Sequence, residues 1–256
     1  MVTQTTPDRE KFFIVGIGAS AGGVQALESF FDGLPENPNG AFVVVQHLSP
    51  NHRSMMTEIL QRQTSLPVQE VQDQMLLEPA HVYVLPPGKT LFLEEQLLEE
   101  QRLRLEASSE SPRYPINRFF QSLVKGWGER TIAILLSGTG NDGTEGLQAV
   151  SRAGGVALVQ SPETAQFTSM PTSAIPSGLV DEVLSPKDLA QTVYELIRFS
   201  DNFPTSKVND ANSIDPEQLQ QILDILAERE EIDFSHYKVS TLSRRIHHRC
   251  ALIRQD

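Results

Sequence analysis

Short apolar runs rich in valine and isoleucine alternate with amphipathic stretches from Phe12 to about Phe199. Six of these runs are candidate strands: FFIVGIG, AFVVVQHL, HVYVLP, TIAILLSG, GVALVQ and GLVDEVL. Most of them lack the regular alternation of apolar and polar residues that marks a strand with one solvent-exposed face. Strands that are buried on both faces and separated by helices form right-handed βαβ units. The sequence therefore predicts an α/β domain with a doubly wound, mostly parallel sheet flanked by helices.

The stretches between the strands carry apolar residues at helical spacing. Val24, Leu27 and Phe31 share one face of VQALESFFDGL. A second stretch, PINRFFQSLVKGW, places five apolar side chains on one face, namely Ile116, Phe119, Phe120, Leu123 and Trp127. At residues 88–106, two short strand-like runs flank an acidic tip, which predicts an edge hairpin. The carboxylates of that tip fit either a solvated loop or a binding surface.

A composition shift divides the chain. Residues 200–215 are rich in Ser, Asn and Asp and poor in large apolar residues, as a linker is. A helix is predicted from Pro216 after the capping residue Asp215, with an apolar face made of Leu219, Ile222, Leu223 and Leu226. The predicted organisation is an N-terminal extension (1–11), the α/β domain (12–199), a linker (200–215) and an incomplete, short helical C-terminal extension (216–256). The sequence after Lys238 is basic and stops within a helical pattern, so we expect the front part of a longer protein.

Composition argues against several classes of protein. The formal charge is −12, from 21 basic and 33 acidic residues, so nucleic acid is not an expected partner. Cys250 is the only cysteine, which argues against a disulfide framework or a cysteine-rich zinc site and fits a reducing compartment. No apolar run reaches the roughly 18 residues of a membrane helix, and the first residues lack a signal-peptide pattern. We expect a soluble, cytoplasmic protein with no direct membrane insertion, no metal and no cofactor.

The turn after the first strand is a candidate site for a nucleophile. The residues GASAG at 18–22 match the elbow pattern, in which Ser20 stands at the apex of a tight strand-to-helix turn. Free amides in such a turn, including that of Ala21, are suited to stabilise an oxyanion. The same residues also fit a dinucleotide-binding pattern, GxGxxA, although the next strand ends in Gln46 and His47 where an acidic ribose ligand is required. A purely structural glycine turn is the third interpretation.

Two further polar residues follow other predicted strands. His47 comes where AFVVVQ ends, and Asp142 lies in the turn after TIAILLSG. Because the carboxyl ends of parallel strands share one edge of a sheet, Ser20, His47 and Asp142 are expected to lie together. A histidine at that edge is a candidate general base for the serine, and a carboxylate there would orient the imidazole. Taken singly, His47 also fits a half-exposed loop histidine, and Asp142 fits ordinary turn and N-cap chemistry.

Four segments in register carry a resemblance to a known family. GIGASAGG, VVVQHLSP, LLSGTGNDGTEG and FTSMPTSAI, in this order, resemble the protein-glutamate methylesterase of bacterial chemotaxis over residues 12 to about 198. The resemblance implies a catalytic domain that hydrolyses glutamate methyl esters on chemoreceptors and deamidates certain glutamines. It implies that Ser20 is the nucleophile, His47 the base and Asp142 the residue that orients the base. By the same resemblance, the site is lined by Ala21, Thr139, Gly140, Asn141 and Met170.

This sequence departs from the family pattern at three points. Ala21 and Thr139 stand where many members have threonine and methionine, so a hydroxyl contribution is lost at position 21 while backbone donors are retained at both positions. Only about eleven residues precede the first strand, so we do not expect the receiver domain that occludes the site in usual members.

The C-terminal segment carries a second resemblance. IDFSHYKVSTLSRRIHHR resembles the opening helices of the chemotaxis receptor methyltransferase, which implies a receptor-contacting basic helix with Arg244, Arg245 and Arg249. A solvated basic face is the alternative. We expect the chain to be the front part of a fused esterase–methyltransferase protein. The S-adenosylmethionine-binding domain of the methyltransferase is not expected within this chain.

The expected partners follow from the two resemblances. They are the cytoplasmic helices of methylated chemoreceptors and the rest of the fused parent, the methyltransferase domain. Two other functions stay open at this point, a non-catalytic receptor-docking or scaffold module and a nucleotide-binding protein.

Overall fold

The structure is a computed structural model that describes residues 12–36, 38–47, 54–95, 101–107, 113–202, 216–230 and 246. The strands in these ranges are β1 (Phe13–Ala19), β2 (Gly40–Gln46), β3 (Val68–Glu70), β4 (Met75–Leu76), β5 (His81–Val84), β6 (Lys89–Glu95), β7 (Gln101–Ala107), β8 (Thr131–Leu135), β9 (Val156–Gln160) and β10 (Glu182–Leu184). The α-helices are α1 (Gly23–Gly33), α2 (Met56–Gln61), α3 (Pro115–Gly126), α4 (Thr144–Arg152), α5 (Ser169–Ala174), α6 (Pro186–Asn202) and α7 (Pro216–Glu230). Single 3₁₀ turns occur at Gly128–Arg130 and Ile175–Ser177.

Seven of the strands form one parallel sheet in the order β10-β9-β8-β1-β2-β5-β3. From β1 and β2 the chain forms the edge strand β3 and then places β5 between β2 and β3; it then returns to the other side of β1 to add β8, β9 and β10. The prediction of a doubly wound parallel sheet is confirmed. The order reverses between β1 and β8, and the carboxyl edge of a parallel sheet at such a reversal is where ligands bind in α/β proteins.

Helices cover both faces of the sheet. Every residue of β1, β2, β8 and β9 is buried, which explains why these runs lack alternation. Apolar side chains of α1 and α6 pack on one face, and those of α3 and α4 pack on the other. Phe119 and Phe120 of α3 are fully buried, and each such burial stabilises the fold by about 1.5–3 kcal/mol.

Two glycines of β1 allow α3 to approach the sheet closely. A Cβ atom at Gly18 would lie 2.4 Å from Cγ2 of Ile116, and one at Gly16 would lie 3.0 Å from Cδ1 of Leu123. Glycine is therefore needed at position 18 for close helix packing, a role that is independent of nucleotide binding. The close approach brings the first turn of α3 to the carboxyl edge of the sheet, beside the end of β1.

The predicted hairpin forms as β6 and β7, but it does not extend the parallel sheet. With β4 it makes a separate three-stranded antiparallel sheet, so its position differs from the predicted edge. The physical reason is an apolar face that packs with α3: Leu91 and Leu103 are fully buried in the same core as that helix. The N–H of Leu93 also donates to Oγ of Ser122 at 2.9 Å. The edge strand β3 was not predicted, and the acidic tip lies outside the described residues.

Two helices lie at the C-terminal side of the described residues. Helix α6 continues to Asn202, past the predicted boundary at 199, and α7 begins at Pro216 as predicted. Asp215 and most of the predicted linker lie outside the described residues. No helix in the described ranges has both the length and the hydropathy to cross a lipid bilayer.

Candidate active site

Three polar side chains stand at the carboxyl ends of three adjacent strands. Ser20 follows β1, His47 follows β2, and Asp142 lies in the turn that connects β8 to α4. Because these strands are parallel neighbours in the order β8-β1-β2, the three residues meet at one edge of the sheet. The structure thus brings together the three residues that the sequence placed there.

The three side chains form a continuous chain of contacts. Nδ1 of His47 lies 3.3 Å from Oγ of Ser20, and Nε2 of His47 lies 3.1 Å from Oδ2 of Asp142. A carboxylate only accepts hydrogen bonds, so the neutral imidazole carries its proton on Nε2. The unprotonated Nδ1 then accepts the hydroxyl proton of Ser20. This tautomer leaves a basic nitrogen directed at the serine.

The backbone of the Ser20 turn is held by hydrogen bonds on both sides. The N–H of Ser20 donates to the carbonyl of Ser137 at 3.0 Å, and the N–H of Gly23 donates to the carbonyl of Ser20 at 2.9 Å. Gly22 adopts a left-handed conformation with φ +69°, and a Cβ there would lie 2.8 Å from Oγ of Ser137. A side chain at position 22 would therefore strain the backbone and collide with the neighbouring turn.

Ser137 is a structural residue of the site that the sequence analysis did not single out. It is fully buried, and its hydroxyl donates to the carbonyl of Ala21 at 2.9 Å and accepts the N–H of Phe167 at 3.0 Å. Its own N–H donates to Oε1 of Gln160 at 2.8 Å. The signal in the sequence is a serine directly after the apolar run TIAILL, at the same sheet edge as Ser20.

Asp142 is held by the first turn of α3. Oδ2 accepts the N–H of Ile116 at 3.0 Å, and Oδ1 accepts the N–H of Asn117 at 2.9 Å and that of Gly143 at 2.8 Å. A helix N-terminus offers free amides and a positive dipole end, so an ionised carboxylate is stabilised there. The alternative interpretation of Asp142 as an ordinary N-cap residue is half correct, because the carboxylate caps α3 rather than its own helix, α4.

A cavity of about 460 Å³ opens beside His47 and Asp142. The predicted lining residues Thr139, Gly140 and Asn141 form part of its wall, and all three are exposed. The remaining two lining residues are Arg113 and Tyr114, which the sequence analysis missed. The signal for them is the dipeptide Arg-Tyr directly before the helix start PIN.

The other predicted site residues have different placements. Ala21 is partly buried in the Ser20 turn, and its carbonyl accepts the Ser137 hydroxyl. Met170 is fully buried, its N–H donates to the carbonyl of Gly138 at 3.1 Å, and its side chain packs under that glycine rather than lining the cavity. The predicted receptor-contact residues Arg244, Arg245 and Arg249 lie outside the described residues.

The described ranges contain no cluster of three His, Cys, Asp or Glu side chains that would suit a metal ion. At the position where a dinucleotide site needs an acidic residue, Gln46 instead donates through Nε2 to the carbonyl of Ser20 at 3.4 Å.

The arrangement of serine, histidine and carboxylate at one edge of a parallel sheet is typical of serine-dependent acyl hydrolases, which are recognised by the geometry of these groups rather than by their order in the chain. Comparison with known proteins then narrows the class. The chain belongs to the CheB methylesterase family, whose family model matches residues 15–193.

Two individual relatives and one solved structure are similar to this chain. A protein-glutamate methylesterase/protein-glutamine glutaminase of Myxococcus xanthus is 33% identical over 189 residues, which cover 72% of this chain and 54% of the relative. An uncharacterized 104.1 kDa protein of Rhodobacter capsulatus is 35% identical over 215 residues, covering 76% of this chain and 22% of the relative. The crystal structure of the Thermotoga maritima CheB methylesterase catalytic domain superposes with a TM-score of 0.69 at 30% identity, covering 73% of this chain and all of that domain. The chain therefore spans about half or less of the length of these two relatives.

Proposed function

We propose that this chain is a protein-glutamate methylesterase that hydrolyses glutamate γ-methyl esters on chemoreceptors and also deamidates glutamines. The observation that carries the proposal is the continuous contact from Ser20 through His47 to Asp142, at 3.3 Å and 3.1 Å. Membership of the methylesterase family supports the choice of ester and amide bonds of glutamate side chains as substrates.

The proposed reaction is acyl transfer through the serine. Oγ of Ser20 attacks the ester carbonyl while Nδ1 of His47 takes the hydroxyl proton, and the Asp142 carboxylate stabilises the resulting imidazolium. The C–O bond to the methoxy group then breaks, and His47 returns the proton so that methanol leaves. Water attacks the glutamyl-serine ester in the second half, with His47 again as the base, and releases the glutamate carboxylate and the free serine.

Backbone amides near Ser20 are the proposed oxyanion donors. Within the described residues, the N–H groups of Ala21, Thr139 and Gly140 donate to no protein acceptor. These amides come from the two turns that flank the serine, so they are available to a developing negative charge on the ester oxygen. Removal of one such donor typically costs about 10²–10³ in kcat. Alanine and threonine both keep the backbone N–H, which is why alanine at 21 and threonine at 139 are compatible with activity.

The proposal extends to the parent protein and its location. We propose that residues 12–199 are the catalytic domain, residues 200–215 the linker, and residues 216–256 the beginning of a receptor methyltransferase in a fused cytoplasmic signalling protein. Helix α7 and the basic sequence after Lys238 support this part of the proposal. Methylated receptor helices are the proposed partners, with Arg244, Arg245 and Arg249 as contact residues. A pull-down of receptor membranes by the full chain and by a variant with these three arginines changed to glutamine tests this part, and equal capture contradicts it.

The catalytic proposal is tested by methanol release from methylated receptor membranes. We expect Ser20→Ala and His47→Gln to lower the rate by about 10⁴-fold or more, because the members of such a triad act as a unit. Ser161→Ala is the matched control, since this serine follows β9 at the same sheet edge but contacts Glu163 instead of the site. A fluorophosphonate probe should label Ser20 in the wild-type protein and in Ser161→Ala, and it should label neither Ser20→Ala nor His47→Gln.

Two results would contradict the catalytic proposal. Equal methanol release by the wild type and Ser20→Ala refutes the serine mechanism. A wild-type protein that releases no methanol and takes no label, yet binds receptor membranes, is a docking module instead.

A further inference from the structure

Among the residues that the structure describes, one arginine lines the cavity beside His47 and Asp142. Among the lining residues, Asp142 and Arg113 are the groups that carry a full charge, and their surroundings differ. The Asp142 carboxylate is buried and already accepts hydrogen bonds from three backbone amides and contacts His47. The Arg113 side chain is exposed and has no ion-pair partner within the described residues. Of the charges on the described lining residues, the guanidinium is therefore the one that a molecule in the cavity meets.

The backbone next to this cation is held close to the catalytic carboxylate. Tyr114 adopts a left-handed conformation, φ +56° and ψ +53°, which is unfavourable for a residue with a Cβ atom. Its carbonyl accepts the N–H of Arg118 at 3.1 Å, and the next residue, Pro115, opens α3. Ile116, three positions after Arg113, donates its N–H to Oδ2 of Asp142. Only Tyr114 and Pro115 lie between Arg113 and the residue that contacts the carboxylate. Strained backbone of this kind persists where the surrounding structure holds it, and it is concentrated at functional sites.

The overall charge of the chain makes a local cation important. With a formal charge of −12, the molecule repels an acidic partner at long range. A guanidinium presents two parallel N–H donors that match the two oxygens of a carboxylate, so one arginine at the cavity rim is suited to recognise a carboxylate at short range. The neutral ester group itself offers no such partner.

We propose that Arg113, positioned by the strained Tyr114, is a specificity-determining residue that pairs with a second carboxylate of the substrate chain close to the esterified glutamate. The preferred substrate is thus an ester within an acidic segment. The inference rests on the proposed esterase function and adds the chemistry of the residues that flank the reacting group. Arg113 acts on substrate binding in this proposal, and it takes no part in proton transfer.

The test combines enzyme variants with matched peptides. Each peptide carries one glutamate γ-methyl ester and a single second glutamate, placed at one position from four residues before the ester to four residues after it. A glutamine at the same position gives the matched neutral peptide. Methanol release by the full chain yields kcat and KM for each pair, for the wild type, Arg113→Gln and Arg118→Gln. Arg118 is also an exposed cation, five positions along the sequence, and it does not line the cavity.

We expect the wild type to prefer the acidic peptide at one or two positions by about tenfold in kcat/KM, mainly through KM, as a hydrogen-bonded charge pair provides. Arg113→Gln should reduce that ratio to about one, while Arg118→Gln should keep it. Arg113→Glu should reverse the preference toward a peptide with lysine at the same position. A ratio that is the same in the wild type and Arg113→Gln overturns the inference, as does a loss of kcat that is equal for acidic and neutral peptides.

A binding measurement separates this inference from the proposed function. Fluorescence anisotropy with labelled peptides is carried out on the Ser20→Ala protein, so the measurement does not depend on turnover. The acidic peptide should bind about tenfold more weakly to the Ser20→Ala/Arg113→Gln double variant than to Ser20→Ala. This result supports the recognition role even if the serine mechanism fails. Equal binding with and without Arg113 overturns the recognition role, whatever the hydrolysis assay gives.

Discussion

Replacing Asp142 with asparagine changes one oxygen of a carboxylate into an NH₂ group at a point where every neighbour is a donor. Oδ1 accepts the amides of Asn117 and Gly143, and Oδ2 accepts the amide of Ile116 and contacts Nε2 of His47. An asparagine keeps one acceptor atom, so the new NH₂ group must face either the Oδ1 pair or the Oδ2 pair of partners.

The structure decides which orientation is favoured and what it costs. With the NH₂ group at the Oδ1 position, the amides of Asn117 and Gly143 both lose their acceptor, whereas at the Oδ2 position only the amide of Ile116 does. A buried donor without a partner costs about 1–3 kcal/mol, so the second orientation is preferred. Loss of the negative charge at the N-terminus of α3 adds about 0.3–1 kcal/mol, or up to about 2 kcal/mol in a buried geometry. We expect the free energy of unfolding to fall by about 2–4 kcal/mol.

The same orientation changes the tautomer of His47. The asparagine NH₂ group would donate to Nε2, so the ring proton must move to Nδ1, the atom that faces Oγ of Ser20. Nδ1 then no longer accepts the serine proton. We expect kcat to fall about 10⁴-fold, the size of this effect for the same substitution in serine proteases.

Three measurements check the reasoning about Asp142→Asn. Urea-induced unfolding gives the stability, methanol release gives kcat, and the ¹⁵N NMR signals of His47 report which ring nitrogen carries the proton. Asp181→Asn is the control, because Asp181 also accepts a backbone amide, that of Ala157 at 2.8 Å, outside the cavity. An Asp142→Asn protein with unchanged stability and a wild-type His47 tautomer would refute the argument.

Two further substitutions test the packing and the titration of buried groups. At Gly138, an alanine Cβ would lie 2.0 Å from Sδ of Met170 and 2.9 Å from Cβ of Ser20, so we expect a stability loss of about 1–3 kcal/mol and slower methanol release. The stability control is Gly178→Ala, where no atom lies within 4 Å of the added Cβ and only the φ of +67° is unfavourable; equal losses in urea unfolding would argue against the steric explanation. Burial raises the pKa of Tyr83 above its usual value of about 10, so the stability that the neutral phenol provides is complete below pH 10 and is lost as the pH rises through the folded-state pKa. Tyr83→Phe removes the acceptor of the Glu78 N–H, at 2.8 Å, and should lower the free energy of unfolding by about 1–2 kcal/mol near pH 7. It should also flatten the decline in stability above pH 10. A decline as steep as that of the wild type would show that another group titrates.

Local sequence patterns were sufficient for most of the fold. Apolar runs without alternation predict strands buried on both faces, and β1, β2, β8 and β9 are buried at every position. Helical spacing likewise predicted the buried faces of α1 and α3. The three-residue strand β3 and the separate sheet of the hairpin were missed or misplaced, because a short strand carries little periodic signal and because the packing partner of a hairpin is chosen by distant residues.

The placement of Ser20, His47 and Asp142 at one edge follows from the sequence alone, because crossover connections make the strands parallel and each residue follows the carboxyl end of a strand. The contacts that hold the site depend on the three-dimensional packing. Asp142 is fixed by amides of α3 that lie 25 and 26 residues away, and Ser137 bonds to Ala21 across 116 residues. The Asp142 contacts arise because Gly18 lets α3 approach β1, and Arg113 reaches the cavity for the same reason. The Ser137–Ala21 bond follows from the pairing of β1 with β8. Such contacts depend on how distant elements pack, and no local preference of the chain encodes that packing.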